Sequence, residues 1–273
     1  MTIQDNKAAL KSQAGFTLVE LAIVMIIIGL LIGGVLKGQQ LITNAQITAT
    51  VAQIKAIDAA TTSFRDQYAG MAGDITNANT RIANCTAAPC FTALTGDGDG
   101  KIDNGAAAGI TFGAAPPAVS EQTQYWAQLA AAGLLTGLNP NAAATAQAWG
   151  QDYPASKING GGFDIGWNGG GLTLNKLQNT TATAPAEAGH YLALHGTANA
   201  IVGGAASDSF LTPNQAARID TKVDDGQPNT GDIQAAGAAA AGAASCASAG
   251  TTIGTYNEAL PTAVCSLYIK FQN

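Results

Sequence analysis

Gly15-Phe16-Thr17-Leu18-Val19-Glu20 opens an apolar run that continues to Leu36. Between Phe16 and Leu36, Glu20 is the only charged residue in 21 positions. A helix needs about 20 apolar residues to cross a bilayer, so the run is long enough. A carboxylate inside it is costly, on the order of 2.5–3.5 kcal/mol even on lenient insertion scales. Glu20 therefore calls for a partner. The residues before the run are polar, carry Lys7, Lys11 and Asp5, and end in Ala14-Gly15. A secretory signal is cut after its apolar core, following small residues. Here the small residue comes first. Cleavage between Gly15 and Phe16 would keep the whole apolar segment and create an ammonium on Phe16, four residues from Glu20. The alternative is a plain signal anchor that happens to contain a glutamate.

Ala14 to Leu21 resembles the processing site of type IV pilins and type II secretion pseudopilins. The close match covers roughly residues 8 to 40. The resemblance implies a prepilin peptidase that cuts after Gly15 and methylates Phe16. It also implies an assembly role for Phe16, Thr17 and Glu20, the glutamate meeting the N-terminal amine of a neighbouring subunit. Many major pilins carry a proline in the apolar stretch, and none is present here. Gly29, Gly33, Gly34 and Gly38 are candidate weak points in its place.

The 273 residues divide on this reading into a leader (1–15), a membrane or filament-core half-helix (16–36), an amphipathic half of the same helix (37–69) and an extracytoplasmic globular domain (70–273). Ile47, Val51, Ile54, Thr61, Phe64 and Tyr68 fall on one face of a 3.6-residue period. No proline or glycine lies between Gly38 and Gly70. The expected helix has about 53 residues and is about 80 Å long at 1.5 Å per residue. Ser120 to Gly133 reads as a second helix, capped by Ser120 and stopped by Gly133, with Tyr125, Trp126, Leu129 and Ala132 on its apolar side. Thr212-Pro213 starts a third, with Ala216, Ile219 and Val223 inside. Strands are expected over 162–167, 171–175, 190–195 and 265–271, and an Ala/Gly-rich excursion over 235–250. His190 and His195 are five apart, so a regular strand points them to opposite faces. The expected class is α+β and pilin-like: a long N-terminal helix packed on an antiparallel sheet, with extra short helices and long loops.

Charged residues make up 11% of the chain, and its formal charge is −6. Loss of the leader would take this to −7, because two lysines and one aspartate leave with it. That balance disfavours nucleic-acid binding through bulk electrostatics. The four cysteines allow three connectivities. Local pairing, Cys85–Cys90 and Cys246–Cys265, is the expected one; the second is similar to the C-terminal disulfide of many type IV pilins. The rival reading is zinc, for which the spacings and the two histidines fit poorly.

Thr95-Gly-Asp-Gly-Asp-Gly-Lys-Ile-Asp103 resembles the first part of a calcium loop. Asp97, Asp99 and Asp103 are the candidate ligands. Thr95 and Ala106 stand where ligands should be, so an acidic glycine-rich turn is the alternative. Asp220, Asp224, Asp225 and Asp232 are candidates for a second calcium site with backbone carbonyls, and are better read as a turn built by Gly226, Pro228 and Asn229. No nucleophile elbow, phosphate-binding glycine loop or metal-hydrolase helix is present, so no enzymatic role and no required cofactor are expected. The resemblance implies a bacterial inner-membrane precursor, with lipid as its first partner. An assembly platform and other pilin subunits come next, ending in a pilus or pseudopilus. Three roles fit: a pilus subunit, a secretion pseudopilin, or a tip pilin acting as adhesin or DNA-uptake receptor.

Overall fold

The computed structural model describes residues 15–91, 96–102, 120–140, 148–168, 188–198, 208–237, 245–247 and 254–271. Within them lie α1 (Leu18–Tyr68), α2 (Ala78–Arg81), α3 (Glu121–Ala131), β1 (Gly162–Asn168), β2 (Gly189–His195), α4 (Pro213–Val223), β3 (Ile233–Gly237) and β4 (Cys265–Lys270). The chain forms two units, residues 1–45 and 46–273. Residues 1–14 of the expected leader and the expected strand at 171–175 lie outside the described residues.

In the first unit α1 is an unbroken helix. The glycines expected as weak points do not interrupt it, and a Cβ added at Gly29, Gly33, Gly34 or Gly38 would meet nothing. Backbone hydrogen bonding therefore continues through these positions, where glycine lowers helix propensity without breaking the ladder.

In the second unit the amphipathic part of α1 buries Ile47, Val51, Ile54, Ile57, Thr61 and Phe64. Tyr68, expected on the same face, is only half-buried against the core. The sheet has the order β1-β2-β4-β3, and every pairing is antiparallel. Its register places Phe163 opposite Leu194, Ile165 opposite Leu192, Leu192 opposite Ile269, and Ile233 opposite Ile269. These residues make one apolar face and join the buried stripe of α1 in a single core cluster. The fold is a pilin-like α+β arrangement.

Both edge strands are closed by their own chain. On β1 the Phe163 amide donates to Pro154 O (2.9 Å), the Trp167 amide to Ile102 O (2.9 Å), and Gln122 Nε2 to Ile165 O (3.0 Å). On β3 the Ile233 amide donates to Asp224 Oδ2 (3.0 Å) and the Ala235 amide to Pro228 O (2.8 Å). Such edges offer little template for strand addition by another molecule.

Helix α3 starts at Ser120 in a capping box with Thr123. Trp126 and Leu129 are core residues, as their spacing suggests. Gln122, Gln124 and Gln128 are also buried, which apolar periodicity does not foresee. Gln128 uses both ends of its amide: Oε1 accepts from the Gly73 amide at 2.7 Å, and Nε2 donates to Cys90 O at 3.2 Å. A buried amide is tolerated when both of its ends are bonded. Gly73, at φ 90°, passes so close that a Cβ would lie 2.3 Å from Glu121 O. Helix α4 starts at Thr212 with Pro213 in its first turn, as expected. The tract read as an excursion begins as β3 instead, because Ile233 and Ala235 pair with Ile269 and Leu267.

Candidate assembly site and acidic loop

The start of α1 is built by Thr17 and Glu20. The Thr17 amide and hydroxyl both donate to Glu20 Oε2, at 2.9 and 2.8 Å. The Glu20 amide approaches Thr17 Oγ1 at 3.3 Å in return. Thr-x-x-Glu ahead of an apolar run is a capping box, in which two otherwise orphaned helix-end donors are satisfied reciprocally. This signal was present in the sequence, beside the charge argument made for Glu20. Phe16 is 88% exposed, and apolar side chains of α1 from Leu18 to Ile42 are exposed after it. The helix is long and apolar enough to cross a membrane. Gly15 and Phe16 are thus accessible at the head of an apolar surface whose one acid is held by its own helix cap.

The glycine-rich loop is arranged around a residue that the loop sequence does not contain. Asp74, almost fully buried, accepts from the amides of Gly98 (2.6 Å) and Gly100 (2.7 Å). Burial pushes its carboxyl up to about 6; the two amides act against that shift, and the charges of Asp97 and Asp99 add to it. Carboxylate oxygens of Asp74, Asp97 and Glu121 lie within 4.8 Å of one another. Asp99 turns away to pair with Lys101. Asp103 lies outside the described residues. Ile102 is buried, as the loop pattern suggests. Three clustered carboxylates are the oxygen chemistry that a hard cation takes.

The second acidic group serves its turn. Asp220 accepts from the Gly226 amide (3.0 Å) and from Tyr256 Oη (2.7 Å). Asp225 accepts from the Gln227 amide (2.9 Å) and the Thr230 hydroxyl (2.5 Å). Asp224 closes the edge of β3, and the backbone carbonyl of Asp232 accepts from the Lys270 amide. Both disulfides are local, Cys85–Cys90 and Cys246–Cys265, and all four cysteines are buried. His190 and His195 stand five apart on the regular strand β2, facing opposite sides.

An apolar helix headed by an accessible Gly15-Phe16 and followed by an α+β domain is consistent with a pilin-like subunit. Residues 10–36 match the family model of the prokaryotic N-terminal methylation motif, the prepilin motif of type IV pilins and pseudopilins. Comparison with curated proteins and with solved structures found no match. The motif implies processing by a prepilin peptidase, and with the apolar helix it is consistent with anchoring in an inner membrane.

Proposed function

We propose that this chain is a non-enzymatic structural subunit of a type IV pilin-like filament. The precursor sits in the bacterial inner membrane through residues 16–36. A prepilin peptidase cuts between Gly15 and Phe16 and methylates Phe16. An assembly platform then extracts the subunit into a filament of its own copies or of several pilins, with the globular domain outside the cytoplasm. The observation that carries this reading is an exposed apolar helix face headed by the methylation motif, with Glu20 as its only charge up to Leu36. Such a surface is covered by lipid before assembly and by neighbouring helices afterwards. The closed edges of β1 and β3 support helix packing over strand addition as the polymer contact. The test is the protein content of a sheared surface-filament fraction: this chain as a principal component supports the pilus subunit, and its confinement to the cell envelope refutes it.

A second reading, a secretion pseudopilin, is favoured by one observation, the grouping of Asp74, Asp97 and Glu121. Calcium at that loop belongs to the second reading, by similarity to pseudopilins that hold calcium in a loop. Loss of protein secretion in a deletion strain with surface filaments intact would select it. The net charge gives no support to a DNA-uptake role.

A further inference from the structure

Past the apolar run, α1 does not turn polar on all sides at once. Lys37 is the first charged residue after Glu20, and the next is Lys55. Between them Leu41 and Ile42 are 62% and 61% exposed, no less than Val35 (59%) and Leu36 (58%) within the run. Leu31, Val35, Gly38 and Ile42 recur at spacings of four, three and four, so they form one stripe along the helix, with Leu41 beside it. A Cβ at Gly34 or Gly38 would meet nothing, so this side is open. The other side carries Gln39, Gln40 and Thr43. Thr43 returns its hydroxyl to Gln39 O (3.1 Å), and Lys37 Nζ reaches Gln40 Oε1 (3.4 Å).

Helix length sets where this two-sided segment falls. From Leu18 to Leu36 the helix rises about 29 Å at ~1.5 Å per residue, close to the ~30 Å of a hydrocarbon core. Ile42 stands about 9 Å further along the axis, and a headgroup layer is roughly 5–8 Å deep on each side. An upright helix would carry Ile42 to the outer limit of that layer. Membrane helices tilt by about 20° on average, which lowers one side of the helix toward the lipid and raises the other. The stripe marks the lower side: Gly38, Leu41 and Ile42 down, Gln39 and Thr43 up. Lys37 stands at the boundary, where its stem lies along apolar surface and its ammonium reaches the headgroups.

Resting on the reading of the chain as a membrane-anchored precursor, we propose that the lipid contact of α1 extends past Leu36 to Ile42. Gly38, Leu41 and Ile42 lie in the phospholipid headgroup layer on the lower side of a tilted helix, with the Lys37 ammonium on a lipid phosphate. Two observations favour lipid over a second copy as the occupant. The stripe is continuous with the run that crosses the bilayer. And α1 carries no acid between Glu20 and Asp58, so a parallel copy at the same height would set Lys37 beside Lys37. A phospholipid offers that ammonium an opposite charge instead. Extraction into a filament then has to uncover Leu41 and Ile42 as well as the run.

The test is photo-crosslinking of the full chain in vesicles of phosphatidylethanolamine and phosphatidylglycerol. The photoreactive residue p-benzoylphenylalanine replaces Ile26, Gln39 or Ile42, one at a time, and intact mass reads the product. The expected result is a phospholipid adduct at the Ile26 and Ile42 positions, and several-fold less at Gln39. No adduct at Ile26 refutes the membrane anchor itself. An adduct at Ile26 with none at Ile42 overturns the inference and leaves the anchor standing, and equal yields at Gln39 and Ile42 also overturn it. A crosslinked dimer from the Ile42 position assigns the stripe to a second copy and overturns the lipid contact. Lys37→Gln should lower the Ile42 adduct several-fold in these anionic vesicles; an unchanged yield removes Lys37 from the contact.

Discussion

Thr17 and Glu20 hold one another at the start of α1: two donors of Thr17 converge on one carboxylate oxygen of Glu20, at 2.9 and 2.8 Å. The acid that an apolar helix tolerates least is thus partly satisfied by its own cap. In the proposed filament, the ammonium of a neighbour's Phe16 would offer a stronger, charged partner. Thr17 keeps the carboxylate at the helix start, where that amine would arrive.

Glu20→Ala is expected to leave a subunit that is made, cleaved, disulfide-bonded and retained in the membrane, but not polymerised. Removing one partner of a buried charge pair costs roughly 3–5 kcal/mol. Filament yield beside membrane-fraction abundance measures this. Normal filaments would refute the pairing role, and loss of the subunit would place Glu20 in stability or processing. Thr17→Val should cost only a cap, about 1 kcal/mol, and reduce filament yield without abolishing it.

The mature chain should begin at Phe16 with a methyl group on its amine. Gly15 matters because a peptidase must approach the backbone closely there. Intact-mass spectrometry of the membrane-purified protein checks both points. A mature form that starts at Met1, or after Leu36, contradicts the prepilin reading.

The Cys246–Cys265 bond closes a short loop onto the first residue of β4. The loop-entropy estimate gives it on the order of 3 kcal/mol. The Cys246→Ala, Cys265→Ala double variant should therefore melt several degrees lower, while the Cys85, Cys90 counterpart closes a smaller loop and should lose less. Thermal unfolding of the full chain in detergent compares the two.

Asp97 and Asp99 separate the two readings of the glycine-rich loop. If calcium binds there, millimolar calcium raises the melting temperature, because a ligand of the native state alone stabilises it. Asp97→Ala should then abolish the rise, since Asp97 lies with Asp74 and Glu121. Asp99→Ala should leave most of it, since Asp99 pairs with Lys101. A melting temperature indifferent to calcium leaves an acidic turn.

Burial pushes the carboxyls of Asp74, Asp164 and Asp220 each up to about 6 from 3.8. A carboxyl with a raised folded-state value binds its proton more tightly when folded. Stability from these groups is therefore greatest at low pH and is lost as pH rises from about 4 through 6. Melting temperature against pH should show that fall superimposed on the remaining titrations. Asp164→Asn should flatten its share; an unchanged slope would mean that Asp164 titrates normally.

Some of this protein was legible along the chain because the determinants are local. An apolar run with one acid, Thr-Pro and Ser at helix starts, and Ile47 to Phe64 at helical spacing are patterns between residues a few positions apart. Their structures follow from helix geometry and capping. The Thr17–Glu20 box was equally local. What tertiary structure alone decided are meetings across long separations. Asp74 threads the loop at Gly98 and Gly100, Glu121 joins Asp97, and Gln128 bonds Gly73 and Cys90. Ile233 became a strand because β4 offered it a partner, although the Ala/Gly tract after it has weak strand propensity. Asp164 and His195 become neighbours on one face only once the sheet has its register. No local propensity encodes such contacts, because the free energy that selects them comes from burial, which depends on the whole fold.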